Sequence, residues 1–185
     1  MLRGAGYSTA VVGKWHLGLG DGTTDYNSPP VKPGPLEVGF DYYFGPPATG
    51  DRVPCVFMEN HTIFGYDPAD PLEVSYSSKV GDLPTGTANP ELLTYYGADT
   101  QHSRTIINGI SRIGWMDGVT NAWWRDEDFA DVFVEKAGAF MEQNTNTPFF
   151  LYLSTHDIHV PRAPHERFQG TSRHAWRGDA IHSMD

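Results

Sequence analysis

Residues 126 to 153 constrain the fold class more than any other stretch. Phe129, Val132, Phe133, Phe140 and Met141 recur at helical spacing and form one apolar stripe. Asp126 reads as the N-cap, with Glu127 and Asp128 favourable beside the positive helix end. Asn144 to Thr147 end the helix, and Pro148 forbids its return because it lacks an N–H. Phe149-Phe150-Leu151-Tyr152-Leu153 then follows without a polar residue. Such a run predicts a strand covered on both faces, as in a parallel sheet. Helix, short loop and buried strand together make half of an α/β crossover unit.

A second strand is predicted at Thr9-Ala10-Val11-Val12, ended by Gly13. Residues 1 to 6 read as a last helical turn, with Gly6 as its left-handed cap. From residue 18 to 37, glycines and prolines stand too densely for a regular element. Phe40 to Phe44 and Val56 to Glu59 read as further strands, and Glu91 to Tyr96 as a helical turn. The tract Ile106 to Trp124 has no clean period and reads as a long excursion over the surface. With 185 residues the chain is the size of one domain.

Charge and cysteine content exclude several functions. Thirteen basic against twenty-three acidic residues give a net charge of -10, which argues against a nucleic-acid partner. The one cysteine, Cys55, permits no internal disulfide and no paired-cysteine zinc site. No apolar run approaches the roughly 20 residues of a membrane span. After Met1 no signal-peptide pattern appears, and residues 176 to 185 read as a helix just beginning. Both ends look cut, so the expectation is an internal piece truncated at each end.

Two polar clusters directly follow the two best strands: Gly13-Lys14-Trp15-His16, and His156-Asp157-Ile158-His159-Val160-Pro161. Ligands of open α/β sheets bind beyond the carboxyl ends of the strands, so these distant segments can meet at one edge. Lys14 is either a point charge for an anionic oxygen or a solvated lysine. A P-loop is excluded, because six residues separate Gly6 from Gly13 and Trp15 follows the lysine. For His156 and His159 three readings stand: a proton donor to a leaving group, a transition-metal site with Asp157 and His16, or a hydrogen-bonded loop pair. Arg52 and Arg162 can each reach an anionic substrate or sit in a surface salt bridge.

The string Gly6-Tyr7-Ser8-Thr9-Ala10-Val11-Val12-Gly13-Lys14-Trp15-His16-Leu17-Gly18 resembles the second signature of the sulfatase family. Pro148 to Leu153, running on to His156 and His159-Val160-Pro161, is similar to that family's later strand and histidine loop. Val38-Gly39-Phe40-Asp41 and Arg177-Gly178-Asp179-Ala180 resemble bacterial members. The resemblance implies an alkaline-phosphatase-like α/β/α sandwich around a mixed, largely parallel sheet. It implies hydrolysis of sulfate esters of carbohydrate or aryl substrates through a formylglycine nucleophile and a calcium ion. By the same resemblance Lys14 contacts the sulfate, and His16 aids its release. His159 assists the leaving alcohol and His156 shapes the pocket. The parent protein would be periplasmic or extracellular.

The departures bound this reading. Cys55 is followed by Val56-Phe57-Met58 and does not fit the formylglycine motif. Ser28-Pro29-Pro30-Val31-Lys32 comes near but ends in lysine, and lies after the lysine signature rather than before it. The calcium ligands and the formylglycine are therefore expected outside residues 1 to 185. The chain reads as the central part of a catalytic domain, inactive alone, with no metal ligand of its own. Two competing readings remain: a phosphatase or phosphonate hydrolase of the same superfamily, and a non-catalytic carbohydrate-binding protein. The latter would stack sugars on Trp115, Trp123 and Trp124.

Overall fold

The computed structural model describes residues 1–22 and 24–185. The described strands are β1 (Ser8–Gly13), β2 (Tyr42–Gly45), β3 (Met58–Glu59), β4 (Thr62–Ile63), β5 (Glu73–Ser75), β6 (Ile106–Ile107), β7 (Ile110–Ser111), β8 (Trp115–Asp117) and β9 (Phe149–Ser154). The α-helices are α1 (Pro35–Val38), α2 (Phe129–Gln143) and α3 (Ala175–Met184). The principal sheet runs β4-β3-β2-β1-β9. β1 is parallel to both β2 and β9, while β2–β3 and β3–β4 are antiparallel. The class is thus α/β around a mixed sheet.

β1 is central because its residues permit it. Ala10, Val11 and Val12 carry no polar group and are fully buried, and β-branched valines pack well on a pleated surface. α2 lies against β1, β2 and β9. It buries Phe129, Phe133, Ala137 and Phe140, a spacing that keeps one stripe on the sheet. Phe57 joins this layer, with ring centroids 5.1 Å from Phe129 and 5.7 Å from Phe133. Met141, expected in the stripe, is 40% exposed. Ala137 takes the inner place instead, where a small side chain lets the helix approach.

Four other expectations are corrected. α2 begins at Phe129, and no side-chain bond caps it. Asp126 is instead a buried partner of Arg112. The tract 106–124 is not a surface excursion: Ile107, Met116, Val119 and Trp124 belong to the core, and hairpin β6–β7 and strand pair β5–β8 shape it. The turn-rich stretch 18–37 closes on one helical turn, α1, whose Pro35 stands at the first turn where its fixed φ suits a helix. Finally, β9, expected to be covered on both faces, lies at the edge of the sheet that these 185 residues form. It ends the sheet beside β1, and Phe149, Phe150, Tyr152 and Leu153 are 38–44% exposed.

Phe133 fills the space between α2 and the sheet without exposed surface to relax into. Phe133→Ala is expected to destabilise the fold by about 3–5 kcal/mol, the usual cost of such a cavity. Chemical denaturation of the two proteins side by side measures it.

Candidate functional site

Parallel pairing of β1 with β9 brings their carboxyl ends to one edge, and the register sets Gly13 opposite Ser154. Gly13 has φ 105°, and a Cβ there would overlap the Ser154 carbonyl. Only glycine lets the two backbones close so tightly. The next N–H, that of Lys14, donates to the Ser154 carbonyl oxygen at 2.9 Å. The Lys14 and histidine segments are thereby tethered at their roots. The loop after β2 completes the edge, since the Gly50 N–H donates to His156 Nε2 at 2.9 Å.

Lys14 is half-buried, and among the described residues no carboxylate lies within 4 Å of its ammonium. Its pKa is lowered, first by burial and then by Arg52, while Asp51 opposes the shift. An unpaired, partly desolvated ammonium is suited to an incoming anion. His16 is exposed with φ 72°, so it projects toward solvent from the same strand end.

The two loop histidines have different chemistry, set by their backbone partners. His156 is 5% exposed. Its Nε2 accepts the Gly50 N–H and so carries no proton. Burial, then the nearby His159 and Lys14 charges, push its pKa down to about 3, against the pull of Asp51. It is a neutral imidazole near pH 7. His159 stacks beside it with ring centroids 5.0 Å apart. Its Nδ1 lies 2.6 Å from the Val160 carbonyl oxygen. A carbonyl only accepts, so Nδ1 keeps its hydrogen and Nε2 is the nitrogen that this bond leaves open.

The groups that the metal-site reading would use are engaged with other partners. Asp157 accepts a hydrogen bond from the Ser183 hydroxyl of α3 at 2.6 Å, and His156 Nε2 is taken. Among the described residues no group of three or more His, Cys, Asp or Glu is disposed to hold a metal ion. Nor does Cys55 suit a precursor nucleophile: it is fully buried, and burial pushes its thiol up to about 12.

Sequence reasoning missed the centre of the cluster. Asp51 is 6% exposed and accepts from the Thr49 hydroxyl. His102 Nε2 stands 3.4 Å from one of its oxygens. Burial raises the Asp51 pKa, but the bonds from Thr49 and His102, with the His159 and Arg52 charges, hold it below the usual carboxylate range. His102 Nδ1 meets Asp99 at 2.9 Å. That pair is three residues apart, and its spacing was the only available signal. Arg52 stands 3.9 Å from Asp51 and is 45% exposed. Arg162 donates through Nε to the Ile158 carbonyl at 3.2 Å. It lines a cleft of ≈ 310 Å³ with Asp51, Tyr96, His102 and Val160.

The tryptophans do not form a sugar platform. Trp124 is 3% exposed and packs edge-on to Phe129 at 5.0 Å. Trp123 donates to the Gly118 carbonyl at 2.9 Å, and Arg104 covers Trp115 at 4.6 Å.

The sulfatase family model matches residues 1–185. The chain is 54% identical over 186 residues to an N-acetylgalactosamine-6-O-sulfatase of Bacteroides thetaiotaomicron, across 100% of this chain and 36% of that protein. It is 29% identical over 204 residues to the steryl-sulfatase of Mus musculus, across 100% of this chain and 31% of the relative. A solved sulfatase structure, from work on glycosaminoglycan metabolism by Bacteroides thetaiotaomicron, superposes with a TM-score of 0.94 at 53% identity. It covers 99% of this chain and 38% of that one. The chain thus spans about a third of the length of these relatives. With the Lys14 and His159 strand ends in place and the family model matched from end to end, the chain belongs to the sulfatase family.

Proposed function

We propose that the protein carrying this chain hydrolyses sulfate esters of carbohydrates, with 6-O-sulfated N-acetylgalactosamine as its substrate class. The observation that carries this is the convergence of unpaired Lys14 with His159 where parallel β1 and β9 end. The similarity to an N-acetylgalactosamine-6-O-sulfatase supports the sugar.

In this reading Lys14 binds the sulfuryl oxygens, and His16 beside it assists release of sulfate. Cleavage breaks the bond between sulfur and the ester oxygen, leaving that oxygen negative. His159 enters this step protonated on both nitrogens, gives the Nε2 proton to that oxygen and returns to its neutral Nδ1–H form, so that a poor leaving group departs as an alcohol. His156 cannot share that task, because it stays neutral and its Nε2 is committed to Gly50. It shapes the wall behind His159. Arg162 and the cleft it lines take the sugar, whose hydroxyls find partners in Asp51 and His102, while Arg52, next in the chain to Asp51, offers a further cation to the anionic substrate. The family's calcium and formylglycine, from residues outside these 185, supply the metal and the nucleophile. The placement proposed is periplasmic or extracellular, which suits a polysaccharide-derived substrate. No helix among the described residues is long and apolar enough to cross a membrane.

The test is sulfate release by the whole protein from 6-O-sulfated N-acetylgalactosamine, followed by ion chromatography. Release from this sugar above the 4-O-sulfated isomer is expected, and no release from any sulfated sugar overturns the reading. His159→Ala should lower kcat about 10²–10⁴-fold on the sugar, and far less on 4-nitrophenyl sulfate, whose leaving group needs no proton.

Lys14 sets the alkaline limit. As pH rises, its ammonium is lost below the ordinary lysine value of 10.5, and sulfate binding goes with it. The profile of kcat/KM, which reports the free enzyme, should therefore fall on the alkaline side below that value. Lys14→Arg should move the fall upward.

A further inference from the structure

Arg112 is fully buried in the folded chain. Its guanidinium bonds both oxygens of Asp126, Nη1 to Oδ1 at 2.9 Å and Nη2 to Oδ2 at 2.6 Å. Nη2 also donates to the Ile107 carbonyl at 2.9 Å, and Nη1 to the Gly50 carbonyl. The same Gly50 donates its N–H to His156. Gly50 is therefore held from both sides, by a buried cation and by a buried imidazole. A Cβ at position 50 would stand 2.6 Å from His156 Cε1, so the ring rests directly on the glycine. His156 in turn faces His159 at 5.0 Å between centroids.

We infer that the Arg112–Asp126 pair is a positioning device for the reaction: through Gly50 it sets the plane of His156, and through His156 the ring of His159. A buried ion pair adds little net stability over apolar packing of the same volume. What the fork supplies is direction, since its planar donors accept only one arrangement of the Asp126 carboxylate and the Gly50 carbonyl. Neither Arg112 nor Asp126 touches the cleft that would hold substrate, so both act at a distance. The Val160 bond at the His159 Nδ1 is made within the loop itself, between neighbouring residues, and does not involve Gly50 or His156. The device therefore controls where Nε2 points, not whether it carries a proton.

The kinetic part of this inference rests on the sulfate-ester reading, and the spectroscopic part does not. The test uses Gly50→Ala and Asp126→Asn in the whole protein. Imidazole nitrogen NMR should show His156 losing its bonded Nε2 signal in both variants, with the His159 signals shifted. On the sulfated sugar kcat should fall about tenfold or more, with KM within about twofold. On 4-nitrophenyl sulfate the loss should be much smaller. A merely structural role would lower both substrates alike, through less folded enzyme, and that result overturns the inference. So do unchanged His159 signals in Gly50→Ala. If Asp126→Asn does not fold, Arg112→Lys, which keeps the charge and loses the fork, is read in its place, with the same outcomes deciding. If the wild type releases no sulfate, the sulfate-ester reading fails while the NMR comparison still decides the positioning.

Discussion

The buried pair Arg112–Asp126 is the contact around which the rest of this structure is arranged. A guanidinium and a carboxylate removed from water must satisfy one another and their remaining hydrogen-bonding capacity. Here that requirement gathers residues 50, 107, 112 and 126 into one place, with only the Arg112 Nε among the guanidinium nitrogens left without a partner in the described residues. It ties the loop after β2 to hairpin β6–β7 and to the entry of α2. It also explains why residues 106–124, so poor in periodicity, turn inward rather than wandering over the surface. Around the pair the aromatic layer of Phe57, Trp124, Phe129 and Phe133 excludes water, which strengthens the ionic contact inside it.

From that anchor the chemistry is assembled by backbone groups more than by side chains. One peptide N–H strips His156 of a usable Nε2, and one carbonyl fixes the tautomer of His159. Two imidazoles three residues apart thus differ in whether Nε2 is occupied, without any difference in residue type. Lys14 is placed in the same manner: Gly13 permits a close approach to Ser154, and the Lys14 N–H then fastens to it. Its side chain is left free of a carboxylate partner, which is what a site for an anion needs.

The legible parts of this fold were those with local signals. The alternation of apolar stripe, proline stop and bulky run located α2 and β9, and the Gly-Lys-Trp-His string located one strand end. Asp126 misled for a physical reason: acidic residues favour helix starts, and nothing local reveals an arginine fourteen residues earlier that claims the carboxylate. Asp51 and His102 lay in turn-rich sequence, and their meeting depends on a contact across fifty-one residues. Non-local pairing of this kind has no sequence period to betray it.

The cleft beside the strand ends has walls drawn from residues 96–102, 110–111 and 160–162, together with Asp51. Lys14 and the β1–β9 register contribute nothing to those walls. In the proposed reading, recognition therefore falls to loops and the reaction to the ends of a close-packed strand pair. Asp51 is the exception, since it lines the cleft and also acts electrostatically on Lys14. Under the proposed reading, a change of sulfated sugar would be written in these loops, and Asp51 is the one described cleft residue whose charge also reaches Lys14.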